Sequence, residues 1–223
     1  MAKLVWDALS ERIYETGVKN GVLYVYKDGA YQPGVAWNGL ISVTESPSGA
    51  EATPLYADDI KYLNLMSVEE FGATIEAYTY PEAFAECNGE KVLDAALAGV
   101  YVGQQTRSTF GMAYKTTVGN AESGDSYGYK LHLIYGALAA PSEKAYTTVN
   151  DSPEAMTFSW EISTTPVEIT SVEGLKPTAY VVIDSVKVGE ANMKKIEDKL
   201  FGTASDEPTL LTPDEIYTLL KAA

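Results

Sequence analysis

Leu55 to Glu86 reads LYADDIKYLNLMSVEEFGATIEAYTYPEAFAE, and its second half decides the fold class. From Phe71 to Thr79 the pattern alternates. Phe71, Ala73, Ile75 and Ala77 fall on one face, Gly72, Thr74, Glu76 and Tyr78 on the other. Successive side chains of a strand point to opposite faces, so this period of two marks a half-buried strand. Pro81 ends it, and Glu82 to Glu86 is expected to form a short helical turn. The same stretch holds two adjacent acidic pairs, Asp58-Asp59 and Glu69-Glu70. Neighbours along a strand point apart, so adjacency alone builds no two-carboxylate site.

The pattern extends in both directions. Asn20-Gly21 and Asp28-Gly29 read as tight hairpin turns, with Val22 to Tyr26 as the strand between them. Pro33-Gly34, Asn38-Gly39 and Ser46 to Gly49 mark further breaks. Downstream, Phe110 to Val118 places Phe110, Met112, Tyr114 and Val118 on one face. Tyr129 to Leu138 groups Leu131, Leu133 and Tyr135 opposite Lys130, His132 and Ile134, and the polar segment Gly119 to Gly128 between these strands reads as a hairpin tip. Met156 to Ile162, with Met156, Phe158, Trp160 and Ile162 inward, and Ala179 to Asp184 add two more strands.

Helices come late. Glu190 to Phe201 spaces Met193, Ile196, Leu200 and Phe201 near the helical period, with Gly202 where a C-cap glycine belongs. A second helix begins at Thr212. Thr212-Pro213-Asp214-Glu215 supplies an N-cap threonine, a first-position proline and a glutamate three residues on, a capping box. Leu211 can staple onto Ile216, and Ile216, Leu219 and Leu220 share one apolar stripe. Thr203 to Pro208 reads as a short hinge, which makes 203–223 a C-terminal arm that docks on its own subunit or on a neighbour. The whole is read as one domain over 1–223, mainly β: an antiparallel sandwich or partial barrel with one or two flanking helices.

Composition narrows the function. The chain has 16 basic and 31 acidic residues, a net charge of −15. That argues against binding nucleic acid or anionic membrane, both of which require clustered Lys and Arg. Tyrosine is the outlier, at 16 against 5 phenylalanines. An apolar ring with a polar tip suits interfaces as well as half-buried strands. Cys87 is the only cysteine, so no intrachain disulfide forms. The first residues do not read as a signal peptide and no apolar run reaches membrane length, so folding in a reducing cytoplasm is expected.

Catalytic and ligand motifs do not emerge. His132, the only histidine, is expected at the surface or rim of its strand, and neither Cys87 nor any serine has a nucleophile context. One Cys and one His exclude an ordinary structural zinc site. Glu122 and Asp125 lack the spacing of a calcium loop. Asn150-Asp151-Ser152 fits a glycosylation sequon by chance. No residue is assigned a catalytic, cofactor-binding or metal role.

Several spaced blocks carry a family likeness. Together with 55–86 they are Lys3 to Trp6 (KLVW), Arg12 to Gly17 (RIYETG), Val35 to Pro47 (VAWNGLISVTESP) and Tyr135 to Met156 (YGALAAPSEKAYTTVNDSPEAM). In this order they resemble the core signature of the major tail (tail tube) proteins of bacteriophages with long, non-contractile tails, over roughly Lys3 to Val186. The resemblance implies a tail-tube fold, assembling as hexameric rings that stack into a hollow tube through which the genome is ejected. It implies the tape-measure, tail-terminator and distal tail proteins as partners, with double-stranded DNA passing through the lumen without specific binding. It implies no cofactor, no membrane and no turnover, and a place in the virion tail after assembly in the host bacterial cytoplasm. About forty residues follow Asp184, too few for an immunoglobulin-like decoration domain. The alternatives are a monomeric carbohydrate- or ligand-binding β-sandwich, with tyrosines as stacking platforms, and a hydrolase built on an acidic pair.

Overall fold

Turn chemistry lays out the first half of the chain. The computed structural model describes residues 4, 6–97, 99–149, 151 and 154–221. Lys3 and Val5 of the first block lie outside them, as do Asn150 and Ser152 of the sequon-like triplet and the last two residues of the arm. Strands β1 (Ile13–Lys27), β2 (Ala30–Tyr31), β3 (Val35–Trp37), β4 (Leu40–Glu45), β5 (Ala52–Ala57), β6 (Ile60–Met66) and β7 (Gly72–Ala77) come first. Then follow β8 (Lys91–Val92), β9 (Tyr101–Val102), β10 (Phe110–Asn120), β11 (Gly124–Ala139), β12 (Phe158–Thr164) and β13 (Tyr180–Asp184). Helices α1 (Ser185–Val188), α2 (Glu190–Leu200) and α3 (Pro213–Lys221) close the chain.

Nine strands form one antiparallel sheet in the order β2-β1-β10-β11-β12-β7-β4, with β3 also on β1 and β13 also on β11. The sheet curls until β4 returns beside β1, giving a partial barrel. Two hairpins, β5–β6 and β8–β9, stand outside it. The fold is β-rich, as the alternation indicates.

Two cores form because the central strands are covered on both faces. Inside the curl, Phe110, Met112, Ile134, Trp160, Phe84 and Trp37 pack together. Trp37 and Phe84 lie 4.6 Å apart, and the Trp37 indole donates to the Thr79 carbonyl at 2.9 Å. On the outer face Leu131, Leu133 and Tyr135 meet Met193, Ile196 and Leu200 of α2 and Leu210, Leu211 and Ile216 near α3. Hence Ile134 and Leu133, neighbours in sequence, belong to different cores, as the alternation along β11 requires. Lys115 reaches Glu197 at 2.8 Å and ties α2 to the sheet.

Local signals hold at both ends of the chain. Asp28 and Gly29 both have positive φ, 54° and 85°, and close the two-residue turn between β1 and β2. The 3-10 turn at Glu82–Ala85 follows Pro81. In the capping box, Thr212 N–H donates to Glu215 Oε2 at 2.7 Å, and Glu215 N–H donates to Thr212 Oγ1 at 3.3 Å. Replacing Thr212 with Ala is expected to lower stability by about 1 kcal/mol, measured by thermal unfolding.

Asn20-Gly21 corrects the reading. β1 runs through both residues, and no hairpin forms there. Asn20 adopts φ 53°, and the register against β10 slips between Thr16 and Lys19 and again between Lys19 and Val22. The left-handed residue serves a bulge inside one strand instead of a turn between two. Gly21 leaves room for Leu40, whose side chain would have to shift for a Cβ there, 2.3 Å from its Cδ1. The helix α1 is also additional to the reading. Asp184 ends β13 and caps it, accepting from the N–H of Val186 and Lys187.

Candidate assembly surface

Asp58-Asp59 does not lie along a strand. Both residues take positive φ, 51° and 61°, and make the turn between β5 and β6. This hairpin projects from the body, and every residue of its two strands is exposed. Its side chains are nonetheless apolar. Leu55 and Leu63 pair across the strands, with Leu65 two residues further on the same face. Tyr56, Ile60 and Tyr62 are 70 %, 66 % and 69 % exposed. A lone two-stranded hairpin is marginal in water, and a contiguous exposed apolar patch marks an interaction site. At its root an apolar groove is lined by Met66, Val68, Phe71, Pro166, Pro177 and Tyr180.

A second exposed set sits on β8–β9 and the turn within it: Val92, Leu93, Leu97, Val100, Tyr101 and Val102. Tyr101 Oη donates to Glu82 Oε1 at 2.8 Å and so anchors this hairpin to the 3-10 turn. The outer strands β2 and β4 end the sheet path, and β13 pairs only part of β11. Such edges carry unpaired backbone groups that pair readily with another chain.

His132 corrects the expectation of a surface position. It is only 9 % exposed. Its ring stacks on Tyr114 at 4.7 Å, at the seam where β4 faces β1. Nε2 lies 2.9 Å from Thr116 Oγ1 and 3.4 Å from Glu15 Oε1, while Nδ1 lies 3.7 Å from Glu45 Oε1 without a hydrogen bond. Burial lowers its pKa from the ordinary histidine value, against the opposing pull of Glu45 and Glu15. The Thr116 hydroxyl gives its proton to Glu15, which is also paired with Lys130. The hydroxyl is therefore not directed at the imidazole as a nucleophile would be. The cluster is a polar seam.

Other residues singled out in the sequence stay apart. Cys87 is buried, and desolvation pushes its thiol up to about 12, which removes the reactive thiolate. Glu70 forms an isolated bridge with Ser48. Glu122 lies in the tight β10–β11 turn, where its N–H donates to Asn120 Oδ1 at 3.2 Å, and Asp125 accepts from Tyr14 Oη at 2.7 Å. Among the described residues no group of three or more His, Cys, Asp or Glu has the geometry to hold a metal ion.

Asp214 carries a strong local charge effect. Its carboxylate accepts from the hydroxyl and N–H of Ser171 and from those of Thr170, at 2.6–3.0 Å. These bonds, led by the Ser171 and Thr170 hydroxyls, hold its pKa far below the usual carboxylate range. A depressed folded-state pKa gives stability that is present above the unfolded value, about 3.9, and lost as pH falls below it. Asp214→Asn is therefore expected to melt below the wild type at pH 7. The gap should close as pH drops through the range below about 4, as followed by paired melting curves.

No protein-family model matches this chain, and a search of curated proteins finds no relative. Among solved structures, one match is a chain of the anti-feeding prophage (AFP) baseplate, from a six-fold symmetrised cryo-EM structure. It is 10 % identical, with a TM-score of 0.38 over 82 % of this chain and 99 % of that one. A superposition that loose carries no argument about function.

Proposed function

We propose that this protein is a structural subunit of a phage tail, a tail tube protein that assembles as hexameric rings stacked into a hollow tube. The sequence blocks from Lys3 to Val186 suggest the family. The observation that carries the reading is the β5–β6 hairpin, which presents a leucine stripe and two tyrosines to solvent on an element too small to stand alone. A second copy is the occupant the family implies, and head-to-tail contacts of this kind close into rings and stack into filaments. The net charge of −15 fits a conduit that repels the DNA backbone, and fits the absence of clustered basic residues. The protein would act without turnover or cofactor, in the virion, alongside tape-measure, tail-terminator and distal tail proteins.

Native mass spectrometry and negative-stain microscopy of concentrated protein test this. Rings or tubes without nucleic acid are expected. A species that stays monomeric at millimolar concentration sinks the reading and favours the ligand-binding module, for which the exposed Tyr56 and Tyr62 would be the platforms. Duplex DNA should not bind at physiological salt. A complex tighter than the ~10⁻⁴–10⁻⁶ M of non-specific binders would contradict the conduit argument.

A further inference from the structure

Three side chains that belong to neither the hairpin nor the polar seam converge beside the inner core. Asn88 is 7 % exposed, one of the few polar side chains buried among the described residues. Its Nδ2 donates to Glu90 Oε1 at 3.1 Å, and the Lys144 amine donates to the same oxygen at 2.8 Å. The Trp160 indole N–H donates to Asn88 Oδ1 at 3.1 Å. Because an indole only donates and a carboxylate accepts, the amide's orientation is fixed, with carbonyl toward Trp160 and nitrogen toward Glu90. The Lys144 amine lies over the rings of Tyr80 and Phe158 at 5.5 and 5.8 Å, and Phe84 and Trp160 pack beside Tyr80. Asn88 is held from the backbone as well, its N–H on the Phe84 carbonyl at 2.9 Å.

These are the parts of an amide-exchange site: an amine, a carboxamide, an acid–base group touching both nitrogens, and a donor on the carbonyl oxygen. We propose that Lys144 and Asn88 join through an intramolecular isopeptide bond, with Glu90 moving the protons and Trp160 stabilising the oxyanion.

The Lys144 ammonium passes a proton to Glu90, and the freed amine attacks Asn88 Cγ. Charge develops on Oδ1, where the indole N–H already points. Glu90 delivers its proton to Nδ2 and takes one from the attacking nitrogen, the Cγ–Nδ2 bond breaks, and ammonia departs. That ammonia takes the proton left on Glu90 and leaves as ammonium, so the positive charge of Lys144 goes with it. No oxidant or co-reactant is needed. A general acid–base placed on both nitrogens contributes about 10²–10⁴ in rate. Asn88 Nδ2 and Lys144 Nζ share one Glu90 oxygen, at 3.1 and 2.8 Å. The flexible lysine stem has to carry the amine to the roughly 3–3.5 Å from Cγ at which attack occurs. Burial disfavours the ammonium, but its bonds to Glu90 and Tyr80 hold the amine pKa above the ordinary lysine value. The bond therefore forms slowly from an ion pair, faster as pH rises.

The link would tie the irregular segment after β11 to the segment between the 3-10 turn and β8. Mass spectrometry of the purified full-length protein decides the matter. The wild type is expected to be lighter than its sequence by one ammonia, and a protease digest should contain one branched peptide joining the Lys144 and Asn88 segments. Lys144→Arg, which keeps the ion pair, and Glu90→Gln should both show full mass and no branched peptide. A wild type that keeps its full mass after prolonged incubation at alkaline pH overturns the proposal. So does an ammonia loss that survives in Lys144→Arg, which would mark succinimide formation at Asn88-Gly89, Asn20-Gly21 or Asn38-Gly39.

Discussion

On the proposed ring assembly, replacing Leu63 and Leu65 together with aspartate is expected to leave a folded, monomeric protein that does not form rings or tubes. Both residues lie on the leucine-bearing face of the β5–β6 hairpin, and neither belongs to either core. Their loss therefore costs the isolated subunit little. Leu63 and Leu65 are 38 % and 55 % exposed. If the hairpin face is covered by another copy, they together bury about one further side chain's worth of surface, about 1.5–3 kcal/mol. Losing both weakens a contact by roughly one to two decades in dissociation constant, before the cost of burying new charge. A ring repeats that contact at every subunit. Sedimentation velocity should show the variant as monomer at concentrations where the wild type assembles, with melting temperatures of the two monomers within a few degrees. An unchanged assembly would remove the hairpin from the interface, and a large drop in melting temperature would assign it to the subunit's own stability.

Sequence legibility follows the range over which each feature is determined. The capping box at Thr212 and Glu215 could be read atom by atom, because donor and acceptor lie three residues apart. The alternation of Phe71 to Ala77 was legible for the same reason. Asn20-Gly21 misled because positive φ serves a bulge as well as a hairpin turn, and only the partner strand distinguishes them. His132 was placed at the surface by its neighbours in β11, yet the groups that bury it come from β1, β4 and β10. Asn88, Glu90 and Lys144 gave no signal, because the amine arrives from 54 positions away, beyond any local pattern. The exposed β5–β6 hairpin is missing from the sequence reading. Asp58-Asp59 lacks the glycine of a usual two-residue turn and reads as neighbours along a strand, whereas both residues have positive φ and make the turn. Periodicity also cannot say that no residue of the same chain covers either face.

Cutting the chain after Asp206 is expected to cripple the subunit itself. The segment removed does not hang free in this structure. Leu210, Leu211 and Ile216 are buried against Leu131, Leu133 and Tyr135, with Leu219 and Leu220 packed beside them. Polar ties fix the docking: Tyr135 Oη donates to the Leu211 carbonyl at 2.8 Å, Gly34 N–H to Pro208 at 2.9 Å, and Thr209 N–H to Lys199 at 2.7 Å. Three buried side chains at about 1.5–3 kcal/mol each come to a large share of a typical stability of 5–15 kcal/mol. The truncated chain should therefore be insoluble or melt far below the full chain. Because a chain that fails to fold says nothing about assembly, Leu211→Ala in the full-length protein is the finer measurement. It removes one side chain from the outer core and is expected to cost about 2–5 kcal/mol, equally at low and high protein concentration. A helix donated to a neighbour behaves differently. Its variant would keep the melting temperature of the dilute monomer and lose only the rings, since the contact it breaks exists only between copies. The two outcomes cannot both occur, and the burial of Ile216 beneath its own sheet argues for the first.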